Sequence, residues 1–437
     1  MYRKISTYIE DYLTGNDERI LCIDGARQVG KSYIIRELAQ KHFANYIELN
    51  MADDKVGDRL FEKVKTIDAF YIQMSVNNGA KMHERENTIV FIDEIQEYPE
   101  LLTLLKPLRK DNRFKYICSG SELGIALSKT TLIPMGSIIE KKMYPMDFEE
   151  FLLANSVGEE LIRHLRDCYI KHLSLDESLH NKILNFFKTY LYVGGMPDSV
   201  KQYVETKNVL KIRETQDNII KFYSEDAAKY DKENKLVIKR IYELLPSNIE
   251  NKVKRMQFKM IENIDDVRYT KYVNEFDYLV SSGIALDTKA ISEPKFPLIQ
   301  SSSKNLIKLY MNDVGLLTSI LYKNNINAIL ENDKGVNLGA VYETVVAQEL
   351  SAHGHNLYYY DRKKVGEVDF LIDDYDSLNV LPVEVKSGKD YTNFRALPKL
   401  LADNNYKMSK GYVFNNSRVV VVDDKITYLP IYFIMFI

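Results

Sequence analysis

The chain has 437 residues, 45% of them hydrophobic, and its 59 Lys+Arg against 62 Asp+Glu leave a formal net charge of −3. That length exceeds a single core and implies roughly three domains. The near-neutral balance excludes a global attraction to nucleic acid, so any such binding must use a local patch.

Tyr8 to Leu13 reads as a lead-in helix, and Ile20 to Ile23 as a short buried strand. The stretch that follows, Gly25, Ala26, Arg27, Gln28, Val29, Gly30, Lys31 and Ser32, fits G-x-x-x-x-G-K-[ST] in full. The two glycines allow backbone angles closed to other residues, so successive N–H groups can turn inward around phosphate oxygens. The next helix, starting near Ser32 and Tyr33, aims its positive end at the same anion. Lys31 is placed to reach the β- and γ-phosphates of ATP, and Ser32 to ligate Mg²⁺. Gly25 to Tyr33 is therefore the expected cofactor-binding segment.

Asn45 to Asn50 alternates as a strand, and Glu62 to Asn77 reads as helical. Thr88 to Asp93 is an apolar strand ending in two carboxylates. Asp93 would hold the magnesium shell, and Glu94 would polarise the attacking water. Lys115 to Ser121 is a further strand ending in hydroxyls, where Ser119 or Ser121 would sense the γ-phosphate; small polar residues there also form ordinary turns. Ile138 to Met143 makes a fifth strand. Strands alternating with helices imply a parallel, doubly wound α/β sheet with its ligand at the strands' C-terminal ends.

The phosphate loop, Phe91-Ile-Asp-Glu-Ile-Gln96, Ser119-Gly-Ser121, Met143-Tyr-Pro-Met-Asp-Phe-Glu-Glu-Phe-Leu152 and Tyr192-Val-Gly-Gly-Met-Pro197 occur in order. In these the chain resembles a prokaryotic AAA+-type P-loop ATPase family whose C-terminal part is a domain of unknown function related to restriction-endonuclease folds. The resemblance spans nearly the whole chain. It implies an ATPase core over 1–147, a helical lid over 148–232, a winged-helix-like connector over 233–295 and a restriction-endonuclease-like α/β domain over 296–437. In one respect the chain departs from that pattern. Members of the family carry an arginine after the glycine preceding the fifth strand, where this chain has Gly136-Ser137. Arg109 or Arg113 would have to serve as the arginine finger.

Phe148 to Glu225 is dense in helical periodicity, interrupted at Gly194-Gly195-Met-Pro197, which reads as a helix stop or, functionally, as a hinge or nucleotide-sensing turn. Helices from Leu236 to Leu245 and Tyr269 to Leu279 precede a hairpin near Gly283 to Asp287, a winged-helix order. Lys252, Lys254, Arg255 and Lys259 would supply phosphate contacts to DNA. Glu262, Asp265, Asp266, Glu275 and Asp277 lie close by and equally suit a protein contact. Tyr310 to Leu317 resembles the family's short strand running into a turn and helix.

The C-terminal part carries a second set of chemical groups. Gly339 to Leu350 is an amphipathic helix bearing Glu343, and strands follow at Asn356–Tyr360, Val365–Ile372 and Leu381–Ser387. Glu384 and Lys386, two apart, project from one face of the last strand. Asp369 and Glu384 would hold Mg²⁺ or Mn²⁺, Glu343 would complete the shell, and Lys386 would orient the attacking water. The set matches the E…D…ExK arrangement of the restriction-endonuclease-like fold; salt bridges along a mixed strand are the plainer alternative. Lys389, Arg395 and Lys399 follow on a helix as possible phosphate contacts or as a solvated face.

Cys22, Cys118 and Cys168 lack metal spacing and read as buried, reduced thiols of a cytoplasmic protein. No signal peptide opens the sequence, and the apolar Tyr428 to Ile437 is too short to cross a bilayer, so no membrane partner is expected. The functional expectation is an ATP-hydrolysing enzyme acting on DNA, with a metal-dependent nuclease domain. The alternatives are an ATP-dependent switch that binds nucleic acid or a protein without cutting, and a chaperone-like ATPase working on a protein partner. A homo-oligomer is compatible with each.

Overall fold

The computed structural model describes the chain except for residues 131–133, 135, 231–234, 251–255, 265–267, 332–337, 389–393 and 407. Lys252, Lys254, Arg255, Asp265, Asp266 and Lys389 therefore lie outside the described residues. The rest divides into two compact units, Met1–Tyr144 with Ser281–Gly283, and Pro145–Val280 with Ile284–Ile437.

The first unit is a five-stranded sheet flanked by helices. Its strands are β1 (Ile20–Asp24), β2 (Asn45–Asn50), β3 (Thr88–Asp93), β4 (Lys115–Gly120) and β5 (Ile138–Lys142), in the order β2-β3-β4-β1-β5 with every neighbour parallel. All six residues of β3 are buried, which is why they read as a continuous apolar run rather than an alternating one. Cys22 and Cys118 face each other across β1 and β4 as free, buried thiols. The helix expected from Glu62 starts instead at Ile67 and runs to Asn78. The Thr66 hydroxyl accepts the Ala69 N–H at 3.2 Å, so the helix begins where a side chain can satisfy its first donors.

The second unit combines a run of helices with an eight-stranded mixed sheet. The helices at Phe148–Ala154, Glu159–Ile170, Glu177–Val193, Pro197–Thr206 and Val209–Tyr230, expected as a lid, belong to this unit. The strands are β6 (Ala285–Ile291), β7 (Ser302–Met311), β8 (Tyr358–Arg362), β9 (Gly366–Asp374), β10 (Asn379–Val385), β11 (Gly411–Asn415), β12 (Val421–Asp423) and β13 (Ile426–Pro430), ordered β12-β13-β11-β10-β9-β8-β6-β7. The hairpin that would be the wing is β6 with β7. Because β6 also pairs in parallel with β8, that hairpin is part of the large sheet. The apolar C-terminal stretch is β13 followed by a buried 3₁₀ turn, Ile431–Phe436.

The turn at Gly194-Gly195 is locked from two sides. The Met146 N–H donates to the Gly195 carbonyl at 2.7 Å, and a Cβ on Gly195 would come within 1.9 Å of the Met146 carbonyl oxygen. From the other side Asp313, the N-cap of the helix Val314–Tyr322, accepts the Gly195 N–H at 2.6 Å on one oxygen and the Leu316 N–H at 3.0 Å on the other. Asp313 is completely buried, and burial pushes its carboxyl up to about 6 against the pull of those backbone donors. A folded-state value above the ordinary aspartate range means that this group favours folding less as pH rises through the interval between the two. The amide of Asp313→Asn cannot ionise. The stability of wild type relative to this variant should therefore fall by on the order of 2 kcal/mol between pH 4 and pH 7. Urea unfolding across that range reads the difference directly, and a pH-independent difference would refute the assignment.

Candidate functional site

The strand order of the first unit determines what can meet at its C-terminal edge. The phosphate loop leaves β1, Asp93 ends β3, and β4 lies between them, bringing Ser119 level with Ile23 in β1. The outcome is a chain of hydrogen bonds joining the helix after β1 to the ends of β3 and β4. Ser32, in the first turn of the helix Lys31–His42, donates its hydroxyl to Asp93 Oδ2 at 2.8 Å, and the Ser119 hydroxyl donates to Asp93 Oδ1. The Glu94 N–H adds a bond to the same Oδ1 at 3.1 Å. Burial pushes the Asp93 carboxyl up, and the Ser119 and Ser32 hydroxyls oppose it.

The loop itself is shaped by positive φ at Gly25 (149°), Gln28 (65°) and Gly30 (95°). A side chain at Gly25 is excluded twice, by that φ and by the Met143 carbonyl oxygen, which would lie 2.2 Å from its Cβ. Lys31 is buried and folds back along the loop, its Nζ donating to the carbonyls of Gly25 at 2.8 Å and Ala26 at 2.9 Å. Burial pulls its ammonium pKa down, while Glu94, Asp24 and Asp93 hold it up. Ala26 and Val29 are buried, whereas Tyr33 is 61% exposed on the following helix.

Glu94 sits in the left-handed region at φ 52°, immediately after β3. Its Oε2 accepts from Gln96 Nε2 at 2.5 Å and from the Ser121 hydroxyl at 3.2 Å. Arg27 in turn donates Nε to Ser121 at 3.2 Å. Ser119 and Ser121 thus serve different carboxylates. Gln96 was not singled out from sequence as a site residue, although its place two residues after Glu94 is a visible signal. Arg109 and Arg113 lie at the other end of the sheet. Arg109 pairs with Glu18 at 3.6 Å beside the first residue of β1, and Arg113 pairs with Asp111 at 3.3 Å and stacks on Tyr71. Neither reaches the phosphate loop of its own chain.

The second unit brings Asp369 and Glu384 together on neighbouring antiparallel strands β9 and β10. Asp369 Oδ2 accepts the Val385 N–H at 2.9 Å. Glu384 is buried; its Oε1 accepts from Lys386 Nζ at 2.6 Å, while its Oε2 has no hydrogen-bond partner among the described residues. Burial and then the neighbouring Asp369 charge push the Glu384 carboxyl up to about 8, with Lys386 acting in the opposite direction. Glu343, also buried, accepts the Tyr310 hydroxyl at 3.2 Å. Among the described residues no group of three or more His, Cys, Asp or Glu side chains is placed to hold a metal ion, so Glu343, Asp369 and Glu384 do not gather as a three-carboxylate shell. Asp369 and Glu384 remain as the adjacent pair on β9 and β10. A cavity of about 380 Å³ opens at Glu384 and is rimmed by Lys363, Lys364, Lys386, Arg395 and Lys399. Sequence reading missed Lys308, whose side chain is 1% exposed and which pairs with Glu367. A lysine in the otherwise apolar Leu306-Ile-Lys-Leu-Tyr310 is the signal that could have found it.

The first of these sites lies within a stretch that is similar to a known domain family. The AAA domain family matches residues 17–152, and two domains of unknown function follow, DUF8612 over 184–327 and DUF4143 over 338–434. No curated protein matches the chain. Among solved structures, a Walker-type ATPase of Pyrococcus abyssi is 15% identical, with 73% of this chain and 95% of that one covered and a TM-score of 0.44. The Orc1 protein of Aeropyrum pernix, solved in complex with DNA, is 13% identical over 76% of this chain and 91% of that one, with a TM-score of 0.31. No helix among the described residues is long and apolar enough to cross a membrane. Residues 17–152 are thus an AAA domain of the P-loop ATPase class.

Proposed function

We propose that the chain binds ATP with Mg²⁺ at the phosphate loop and hydrolyses it, using Glu94 to polarise water. The Ser32–Asp93–Ser119 hydrogen-bond chain carries this reading. It sets a hydroxyl and a carboxylate side by side at the start of the loop's helix, a donor set that fits a hard divalent ion whose remaining positions go to water and phosphate. The ion would neutralise charge developing on the phosphoryl oxygens. The protein's own contributions are distinct. Loop N–H groups and the helix N-terminus bind phosphate, Lys31 supplies a cation, and Glu94, held by Gln96 and Ser121, orients the nucleophile.

This assignment separates two variants. Lys31→Ala should lose nucleotide binding in calorimetric titration. Glu94→Gln should bind ATP as wild type does and hydrolyse it about 100-fold more slowly or worse. A Glu94→Gln protein with wild-type turnover would remove Glu94 from the role.

A second reading concerns the C-terminal unit: a metal-dependent hydrolase acting on DNA. Glu384 Oε2, unpaired among the described residues and beside Asp369, favours it, since a divalent cation would serve that oxygen and relieve the repulsion, and Lys386 lies at hand to orient water. The basic rim of the adjoining cavity suits a phosphodiester backbone. Linear, circular and branched DNA should be cut with Mg²⁺ or Mn²⁺ by wild type and not by Lys386→Ala, assayed with and without ATP. Binding without any metal-dependent product would instead indicate a nucleotide-controlled switch.

A further inference from the structure

Arg3 lies outside every motif of the sequence, yet it is buried, and its guanidinium donates Nη1 to the Val29 carbonyl at 2.7 Å and Nη2 to the Tyr144 carbonyl at 2.6 Å. We propose that Arg3 is a positioning residue of the phosphate loop, holding it in the shape that presents its backbone N–H groups to a nucleotide's phosphates. The proposal rests on the ATP-binding reading above and extends it to a part of the chain that the motif does not include.

The location of the bond is what makes it consequential. Val29 stands between Gln28 and Gly30, both at positive φ. A non-glycine residue such as Gln28 in that region costs on the order of 1 kcal/mol and persists only where its surroundings impose it. The peptide unit is planar and trans, so its C=O and N–H point in opposite directions. Drawing the Val29 carbonyl toward Arg3 therefore also fixes the direction of the Gly30 N–H, one of the donors at the helix entrance. The second bond ties the guanidinium to the segment against which the loop already rests. The Met143 N–H donates to the Asp24 carbonyl at 2.7 Å, and the Met143 carbonyl oxygen occupies the place a Gly25 side chain would need. Both ends of the loop are thereby referenced to Met143–Tyr144.

Helix energetics give no independent reason for an arginine here. Arg3 precedes the helix Ile5–Thr14 and accepts the Ser6 N–H at 2.9 Å, so it places a positive charge at the positive end of the helix dipole. Burying that charge is unfavourable unless strong acceptors meet it, and two well-placed carbonyls do.

The test compares Arg3 with another anchor of the same helix. Tyr12 is buried, and its hydroxyl donates to the Tyr116 carbonyl at 2.5 Å in β4, away from the phosphate loop. Calorimetric titration of Mg·ATP and Mg·ADP into wild type, Arg3→Lys, Arg3→Ala and Tyr12→Phe would be read beside each protein's melting temperature. Arg3→Ala should weaken both nucleotides about tenfold or more, and Arg3→Lys, able to reach one carbonyl at a time, should recover part of the loss. Tyr12→Phe should melt earlier while binding within twofold of wild type. Arg3→Lys and Arg3→Ala binding as wild type does, or Tyr12→Phe losing as much affinity as Arg3→Ala, would reduce Arg3 to a helix anchor and overturn the proposal. A wild-type protein that binds neither nucleotide would overturn the ATP reading, and the clamp with it.

Discussion

A parallel sheet aligns the C-terminal ends of its strands along one edge, and the order of those strands decides which side chains can touch. Here β4 is interposed between β1 and β3. Without that insertion, Ser119 would not reach the carboxylate that Ser32 also reaches, and Asp93 would be a buried charge with fewer donors. The first unit's chemistry follows from this one topological fact. The glycines of the loop, the left-handed Glu94 and the backing segment at Met143 all serve an edge where three strand ends converge.

The C-terminal unit solves a similar problem differently. Its two carboxylates lie on antiparallel neighbours, β9 and β10, so side-by-side placement comes from register rather than crossover order. Antiparallel pairing brings same-face residues close, and like charges set there repel. Lys386 offsets part of that repulsion from just beyond the end of β10, and Lys308 does the same for Glu367 from β7. Two lysines thus partner the acidic groups on this part of the sheet. One of them, Lys386, retains an exposed face toward the cavity; the other is sealed in.

What could be read from sequence was what depends on short spacing. The phosphate loop needs eight consecutive residues, the Asp93–Glu94 pair ends one strand, and Glu384 and Lys386 are two apart; none of these requires knowledge of distant segments. What could not be read depends on distance along the chain. Arg3 meets partners 26 and 141 residues away through backbone carbonyls, which have no residue signature at all. Glu343 accepts a hydrogen bond from Tyr310, 33 residues upstream, and no periodicity announces that pairing. The helix expected from Glu62 failed for a local reason. Val64 stands three residues before Ile67, at helical spacing, yet the cap at Thr66 sets the boundary. The hairpin of the winged-helix expectation was present as a hairpin; its parallel partner β8, nearly seventy residues on, makes it part of a sheet.

The two acidic sites differ in one respect that bears on what each does. Asp93 is buried and has donors on both oxygens, two hydroxyls and a backbone N–H, so the protein satisfies it and a ligand ion would exchange with those hydroxyl bonds. Glu384 is equally buried, has one oxygen on Lys386 and the other without a partner among the described residues, and faces Asp369 as well. An orphaned buried acceptor costs on the order of 1–3 kcal/mol, more when charged. A fold accommodates that cost by keeping the carboxyl protonated or by admitting a cation. At the first site an ion arriving with a nucleotide would meet a group already satisfied without it. At the second site the described residues leave one oxygen unmet, and it is the acidic pair, rather than the basic rim, that makes that cavity a candidate for chemistry rather than for binding alone.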